Sequence, residues 1–197
     1  MDYTQLSSLA LYCFVCTATP GPNNIMLASS GLTFGFRRTV PHLLGINVGC
    51  AAMLALCGLG AAGLFEASPW LRWAVRIAGA LYLGWLALAL WRRGGVDTHT
   101  SARPLGFWRA AGFQFANPKA WAICVPAIAT FTTPNQPLPL QMAPIIAMFV
   151  IVGLPSIATW AAMGAGAREI LDSPTVMRAF IRAMAILTAL TALLFLI

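Results

Sequence analysis

Six apolar segments, separated by short polar or charged stretches, follow one another along the chain. They cover roughly residues 6–32, 41–65, 69–91, 107–132, 140–166 and 176–197. A transmembrane helix needs about 20 predominantly apolar residues. The last segment is the weakest, because Arg178 and Arg182 leave only residues 183–197 uncharged, but long arginine side chains can reach the membrane interface. The pattern therefore predicts an all-α, polytopic membrane protein with six transmembrane helices.

Two of these segments contain helix-breaking residues near their middle. The residues are Pro20, Gly21, Pro22, Asn23 and Asn24 in the first segment and Asn117, Pro118 and Lys119 in the fourth. Proline cannot donate a helical hydrogen bond, and its ring clashes with the preceding turn. In hydrocarbon a freed carbonyl costs several kcal/mol unless another group satisfies it. We therefore expect helices one and four to be broken beside a polar cavity, a pattern typical of transporter binding sites.

The six segments divide into two groups of three. The predicted organisation is a first three-helix repeat over 1–96, a cytoplasmic linker over 97–104 and a second three-helix repeat over 105–197. Three spans in each half give the repeats inverted topology, as in many secondary transporters. The two breaks lie at a similar depth in their halves, which is the main evidence for the repeat.

Composition and charge fit this topology. Charged residues make up 9% of the 197 residues, against about 25% in soluble domains, which excludes an ordinary soluble enzyme. Basic residues concentrate in the odd-numbered loops, so these loops are predicted to be cytoplasmic and both termini to lie outside. No basic residue precedes the first apolar segment, so we expect it to be retained as a first membrane helix. The odd-loop arginines are Arg37, Arg38, Arg92, Arg93, Arg103 and Arg168.

The net charge of +7 and the five cysteines add no further site. The basic residues are dispersed among loops rather than gathered in one stripe, which argues against nucleic-acid binding. The cysteines lie inside apolar segments without histidine partners nearby, so we interpret them as small packing residues. No metal, cofactor or catalytic residue is predicted.

The first break is expected to expose both backbone carbonyls and backbone N–H groups. Pro20 should free the carbonyl of Cys16, and Pro22 should free that of Ala18. These two carbonyls are expected to face a ligand ammonium, a water or an ion. Pro22 is also well placed to start a new half-helix, whose first N–H groups would attract an anion.

The second break adds a charge. Pro118 should free the carbonyl of Gln114, and Asn117 can cap the half-helix that follows. Lys119 lies ten residues beyond Arg109, about 15 Å along a helix, which places it near the membrane midplane. No acidic residue lies inside a predicted span, so Lys119 either extends to an interface, titrates in a wet cavity, or pairs with a ligand carboxylate. Carbonyls for an ammonium and cations for a carboxylate together suit an amino acid.

Four glycines are placed for close helix contacts. Gly31 with Gly35, and Gly45 with Gly49, have the G-x-x-x-G spacing that lets membrane helices approach closely. We expect all four to serve helix packing.

The chain resembles the lysine-exporter (LysE/RhtB) family of bacterial amino-acid exporters over nearly its whole length. The resemblance is carried by Pro20-Gly21-Pro22, by Gly35-Phe36-Arg37, by the Gly45 and Gly49 pair, and by Asn117-Pro118-Lys119. The strings around the two breaks are most similar to the cysteine/O-acetylserine exporter branch. The resemblance implies inner-membrane efflux of neutral or basic amino acids, driven by an ion or proton gradient.

Two other functions remain open at this point. A membrane-embedded enzyme would need a nucleophile or an acid–base group with an activating neighbour, for which His42 and the cysteines are the available residues. A non-transporting assembly subunit would need no polar break in each half. The prediction is a secondary transporter, not an enzyme, with a small amino acid and the bilayer as partners. A homo-oligomer is left open.

Overall fold

The structure is a computed structural model that describes residues 1–19, 21–61, 67–93, 103–133, 136–170 and 174–194. Within these ranges the chain forms helices and short connections, which confirms the all-α class. The helices are α1 (Tyr3–Ala18), α2 (Pro22–Phe34), α3 (Phe36–Leu56), α4 (Pro69–Arg93), α5 (Phe107–Ala116), α6 (Pro118–Phe131), α7 (Leu138–Met148), α8 (Leu154–Ile170) and α9 (Pro174–Leu194). Short π-helical turns follow α3 at Cys57–Ala61 and join α7 to α8 at Phe149–Gly153.

The connection between α2 and α3 is a single residue. Gly35 has φ 80° and ψ 165°, a conformation that glycine adopts without steric cost, and its N–H bonds to the carbonyl of Gly31 at 2.8 Å. This corrects the sequence analysis in two respects. Arg37 and Arg38 lie in the first turn of α3 rather than in a loop. Gly35, which was expected to serve helix packing, makes the chain reversal instead.

Three helix pairs form the most extensive contacts: α2 with α8, α3 with α5, and α4 with α9. At the first crossing, a Cβ atom on Gly31 would overlap the carbonyl of Ala161, and one on Gly164 would overlap the carbonyl of Ala28. The backbones therefore touch because no side chain separates them.

The α3–α5 crossing follows the same principle with the other glycine pair. A Cβ atom on Gly45 would overlap the carbonyl of Phe107, and one on Gly49 would lie 2.6 Å from the carbonyl of Ala111. Each of these predicted packing glycines thus holds its helix against a backbone of the second half of the chain.

We expect Gly164→Ala to destabilise the protein by about 1–3 kcal/mol, the usual effect of overpacking. The added methyl group meets the backbone of Ala28, which cannot move aside without separating α2 from α8. Gly166→Ala is the matched control on the same helix, because a Cβ atom there meets nothing within 4 Å. Thermal unfolding of the detergent-purified proteins checks the difference. Equal melting temperatures for the two variants would contradict the close crossing.

Large apolar side chains cover much of the outer surface. Leu81, Trp85, Leu140 and Ile151 are each more than 60% exposed, whereas soluble monomers rarely expose extensive apolar surface. Polar residues such as Asn24, His42 and Gln114 are buried inside. This arrangement of apolar exterior and polar interior suits a protein embedded in a bilayer.

Two continuous helices are long and apolar enough to cross a membrane by length and composition. They run over Phe36–Gly60 and Leu138–Ala167, among the residues described. Shorter apolar helices cover Pro118–Phe131 and Ile181–Leu190. Helices lie in all six predicted segments. The first and fourth segments each consist of two shorter helices, so neither contains one continuous helix long enough to cross a membrane.

Candidate functional site

The first predicted break separates α1 from α2. Helix α1 ends at Ala18 and α2 begins at Pro22; Pro20 lies outside the described residues. The carboxamide of Asn24 is buried beneath this junction. Its Nδ2 donates to the carbonyl of Thr17 at 2.7 Å and to that of Thr19 at 2.8 Å. Asn24 therefore joins the end of α1 to the start of α2.

The carbonyls at the end of α1 differ from the sequence-based expectation. That of Cys16 accepts a bond from the hydroxyl of Thr19 at 3.3 Å, and that of Ala18 accepts one from the indole N–H of Trp160 at 3.2 Å. Side chains of the protein thus satisfy both groups, which were expected to face a ligand. The physical reason is that a buried carbonyl is costly without a partner, and α8 brings Trp160 close enough to supply one.

The second break lies between α5 and α6, at Asn117. Its side chain accepts a bond from the backbone N–H of Lys119 at 3.1 Å, so it caps α6 as predicted. Its own backbone N–H bonds to the carbonyl of Gln114 at 3.1 Å, so this carbonyl also has a protein partner. Pro118 is the first residue of α6, a position where a proline costs no hydrogen bond.

Lys119 connects the two breaks. Its ammonium Nζ donates to the carbonyl and the hydroxyl oxygen of Thr19, both at 2.9 Å, across 100 positions of sequence. The lysine side chain passes directly over Gly21, where a Cβ atom would lie 2.7 Å from its Cδ and 2.9 Å from its Nζ. Glycine is therefore needed at position 21 for the lysine to approach the end of α1.

A pair of carboxamides forms a second link between the breaks. Asn23 donates to the side-chain oxygen of Gln114 at 2.8 Å, and Gln114 donates back at 3.2 Å. Gln114 also donates to the carbonyl of Ala110 at 3.0 Å. The reciprocal bonds with Gln114 fix the orientation of Asn23. The sequence predicted Asn23 as a site residue but did not predict Gln114.

These side chains surround a cavity of about 60 Å³. This exceeds the roughly 10–15 Å³ that a cavity needs to hold one water, so there is room for solvent. Polar groups from both breaks and from α3 share its wall with apolar side chains. The lining includes Gly21, Asn23, Asn24, Asn47, Gln114, Asn117 and Lys119, the thiols of Cys16 and Cys50, and Ile46, Ile123, Phe149 and Ile157.

Sequence reasoning missed Asn47. It lies in α3 on the cavity wall, and its carboxamide has no hydrogen-bond partner among the described residues. A carboxamide inside an otherwise apolar span was the available signal, because such groups are costly in hydrocarbon unless they meet a partner. The same signal would have found Gln114.

The electrostatics of the cavity favour an anion on one side. Lys119 places a basic side chain on the cavity wall. The N-terminus of α2 has no side-chain cap, so its first amide groups and its dipole add partial positive charge. Among the described side chains the only carboxylate belongs to Asp2, at the far end of α1. The cavity therefore suits a ligand carboxylate, with polar carboxamides available for a second group.

The cysteines form no disulfide in the described part of the chain. All five thiols are free, and the sulfurs of Cys50 and Cys124 lie 4.0 Å apart. No group of three or more metal-ligating side chains is found among the described residues.

We expect Gly21→Ala to weaken ligand binding with little effect on stability. The methyl group would displace the flexible end of Lys119 rather than backbone, so the fold can accommodate it while the ammonium moves away from Thr19. A binding titration and a thermal melt of the same sample separate the two effects. Gly112→Ala, whose Cβ atom meets nothing within 4 Å, is the control. Unchanged binding by Gly21→Ala would show that the position of Lys119 is not critical.

Comparison with known proteins places these residues in a family. The family described as LysE type translocator matches residues 14–197. Similar curated proteins include the cysteine/O-acetylserine efflux protein of Klebsiella pneumoniae, 29% identical over 164 residues that cover 83% of this chain and 84% of the relative. The proteins of the same name from Salmonella choleraesuis and Escherichia coli K12 are also 29% identical, over 159 and 164 residues. The Salmonella match covers 81% of this chain and 82% of the relative. No solved structure matches significantly. Because the family match covers both breaks and nearly the whole chain, the protein belongs to the LysE family of translocators.

Proposed function

We propose that this protein is a secondary transporter that exports small neutral amino acids, of the cysteine or O-acetylserine type, across the bacterial inner membrane. Threonine- and homoserine-like substrates are the alternative within the same class. The observation that carries the proposal is the ammonium of Lys119 on the wall of a cavity enclosed by the two helix breaks. The efflux function named for its relatives supports it.

The substrate carboxylate is assigned to the positive side of the cavity. Lys119 would exchange a bond to a neutral oxygen of Thr19 for one to the carboxylate, in which both donor and acceptor are charged. The uncapped N-terminus of α2, at Asn23 and Asn24, would supply backbone donors beside it.

The substrate amino group is assigned to Asn47. The carbonyls first expected to bind it already accept bonds from Thr19 and Trp160. Asn47 offers an amide oxygen on the cavity wall without a protein partner among the described residues. Its position on α3 would let the zwitterion bridge α3 and α6.

The dimensions and lining of the cavity favour a small side chain. A cavity of about 60 Å³ fits a small amino acid better than an aromatic one. Cys16 and Cys50 contribute polarizable sulfurs to the lining, which suits a substrate thiol or short ester.

The six-span arrangement of two inverted repeats is part of the proposal. If spans one to three exchange with spans four to six, the contact between spans one and five becomes that between spans four and two, and the contact between spans three and six becomes itself. The three most extensive helix contacts are therefore the set that such an exchange would preserve. The correspondence holds for whole spans only, because α2 follows the first break whereas α5 precedes the second.

The proposed topology places both termini in the periplasm and the linker over 97–104 in the cytoplasm. A reporter that works only in the periplasm should be active when it is fused after Ile197. A reporter that works only in the cytoplasm should be active when it is inserted in the linker. A cytoplasmic C-terminus would contradict the proposed orientation. Together with a periplasmic N-terminus it would also rule out the inverted repeat, because an even number of spans keeps both termini on one side.

Counterflow in proteoliposomes tests the transport proposal. Vesicles loaded with unlabelled cysteine, O-acetylserine, threonine or homoserine should accumulate the labelled amino acid only when they contain the protein. Matched vesicles with Lys119→Met control for leakage. If no amino acid exchanges although the reconstituted protein is folded, the transporter assignment fails and an enzyme or assembly role takes its place.

A further inference from the structure

A second cavity lies far from the helix breaks, between α4 and α9. It is an apolar groove of about 610 Å³, and none of the residues that line the polar cavity belongs to either helix. Small residues such as Gly84, Ala87 and Ala189 line it together with larger apolar side chains. Leu81, Ile186 and Leu193 are 50–70% exposed along it, so the groove is open to the surroundings of the protein.

One end of the groove carries positive charge. Trp91 lines this end, and the guanidinium carbon of Arg182 lies 5.4 Å from the centre of its ring. Arg92, next in sequence to Trp91, is exposed. No acidic side chain pairs with Arg182 among the residues that the structure describes. Stacking on the indole holds the guanidinium in place while leaving its N–H groups able to bind a phosphate.

The groove has the length of a lipid chain. Its wall on α4 runs from Ile77 to Trp91, fourteen residue steps, or about 21 Å at 1.5 Å per residue. One leaflet of the hydrocarbon core is about 15 Å thick, half of the roughly 30 Å total. An acyl chain in this groove would therefore extend into the bilayer from a headgroup held at Trp91 and Arg182.

We propose that the groove between α4 and α9 binds an anionic phospholipid, with one acyl chain along Gly84 and the headgroup phosphate on Arg182. The apolar wall fits the chain, and the cation at one end fits the headgroup. A second copy of the protein is a weaker match for the same surface, because like-charged copies of Arg182 and Arg92 would be brought toward each other around a two-fold axis at this end.

Lipid binding to the purified, delipidated full chain tests this. Dioleoyl phosphatidylglycerol and dioleoyl phosphatidylcholine, which share acyl chains, are titrated separately and bound lipid is counted by native mass spectrometry. The variants are Arg182→Gln, which removes the charge, and Gly84→Leu, which fills the groove where a Cβ atom meets nothing within 4 Å. The matched controls are Arg38→Gln, whose arginine lies 6.0 Å from the ring centre of Phe34, and Gly112→Leu, at another open helix glycine.

We expect the wild-type protein to bind phosphatidylglycerol at least about fivefold more tightly than phosphatidylcholine, which corresponds to about 1 kcal/mol for one basic residue near a lipid surface. Arg182→Gln should lose this preference, Gly84→Leu should lose the tightest site for both lipids, and the controls should match wild type. Equal affinity of the wild-type protein for the two lipids would overturn the proposal. So would a dimer that Gly84→Leu dissociates, because a second copy would then occupy the groove.

Discussion

Lys119→Met is expected to abolish amino-acid export while leaving the protein folded. Methionine keeps an unbranched apolar stem that can lie over Gly21 but loses every N–H donor. The carbonyl of Thr19 still accepts a bond from Asn24, so no backbone group is left without a partner. Losing one member of a buried, charged contact typically costs about 2–5 kcal/mol, so substrate affinity should fall at least about 30-fold.

The chain offers a direct readout for this prediction. Lys119 is its only lysine, so an amine-acylating reagent modifies this side chain and the N-terminus alone. Substrate should protect Lys119, but not the N-terminus, from acylation, as counted by peptide mass spectrometry. Lys119→Arg should also transport poorly, because the planar guanidinium is broader than an ammonium and Gly21 leaves little space. Wild-type binding and transport by Lys119→Met would remove the lysine from the site.

Asn24→Leu and Asn47→Leu are expected to fail for different reasons. Asn24 is 2% exposed and donates to Thr17 and Thr19, so leucine leaves the Thr17 carbonyl without that donor. An unsatisfied buried group costs about 1–3 kcal/mol, and the thermal melt should shift downward accordingly. Asn47 has no described protein partner, so the same substitution should leave stability near the wild-type value but weaken substrate binding.

Thermal unfolding with and without amino acid distinguishes the two asparagines. Ligand should still stabilise Asn24→Leu, provided that it folds, whereas ligand should no longer stabilise Asn47→Leu. If both variants lose stability equally, Asn47 serves the fold and the amino group of the substrate must bind elsewhere.

The positions of the helices could be predicted because membrane helices need long apolar stretches. The segment predicted over 107–132 corresponds to α5 and α6, which cover Phe107–Ala116 and Pro118–Phe131. The cap by Asn117 was also predictable, because it depends on a residue two positions away. Local chemistry of this kind needs no knowledge of which helix faces meet.

The partners of the break carbonyls could not be predicted in this way. Trp160, which satisfies Ala18, lies 142 positions further along the chain, and its approach depends on the close α2–α8 crossing. The start of α3 at Phe36 was missed for a different reason. Two arginines in succession resemble a loop in a charge pattern, but here one glycine completes the turn and the arginines can occupy the first turn of a helix.

The bonds around Asn24 have a consequence for motion. A helix break with unsatisfied carbonyls could bend, but here the side chain of Asn24, near the start of α2, donates to the carbonyls of Thr17 and Thr19 at the end of α1. We therefore expect α1 and α2 to move as one rigid body during alternating access, with the hinges located outside this junction. Amide hydrogen exchange should show that the residues on both sides of position 20 stay protected with and without substrate. A segment that opens should exchange faster in only one of these two conditions.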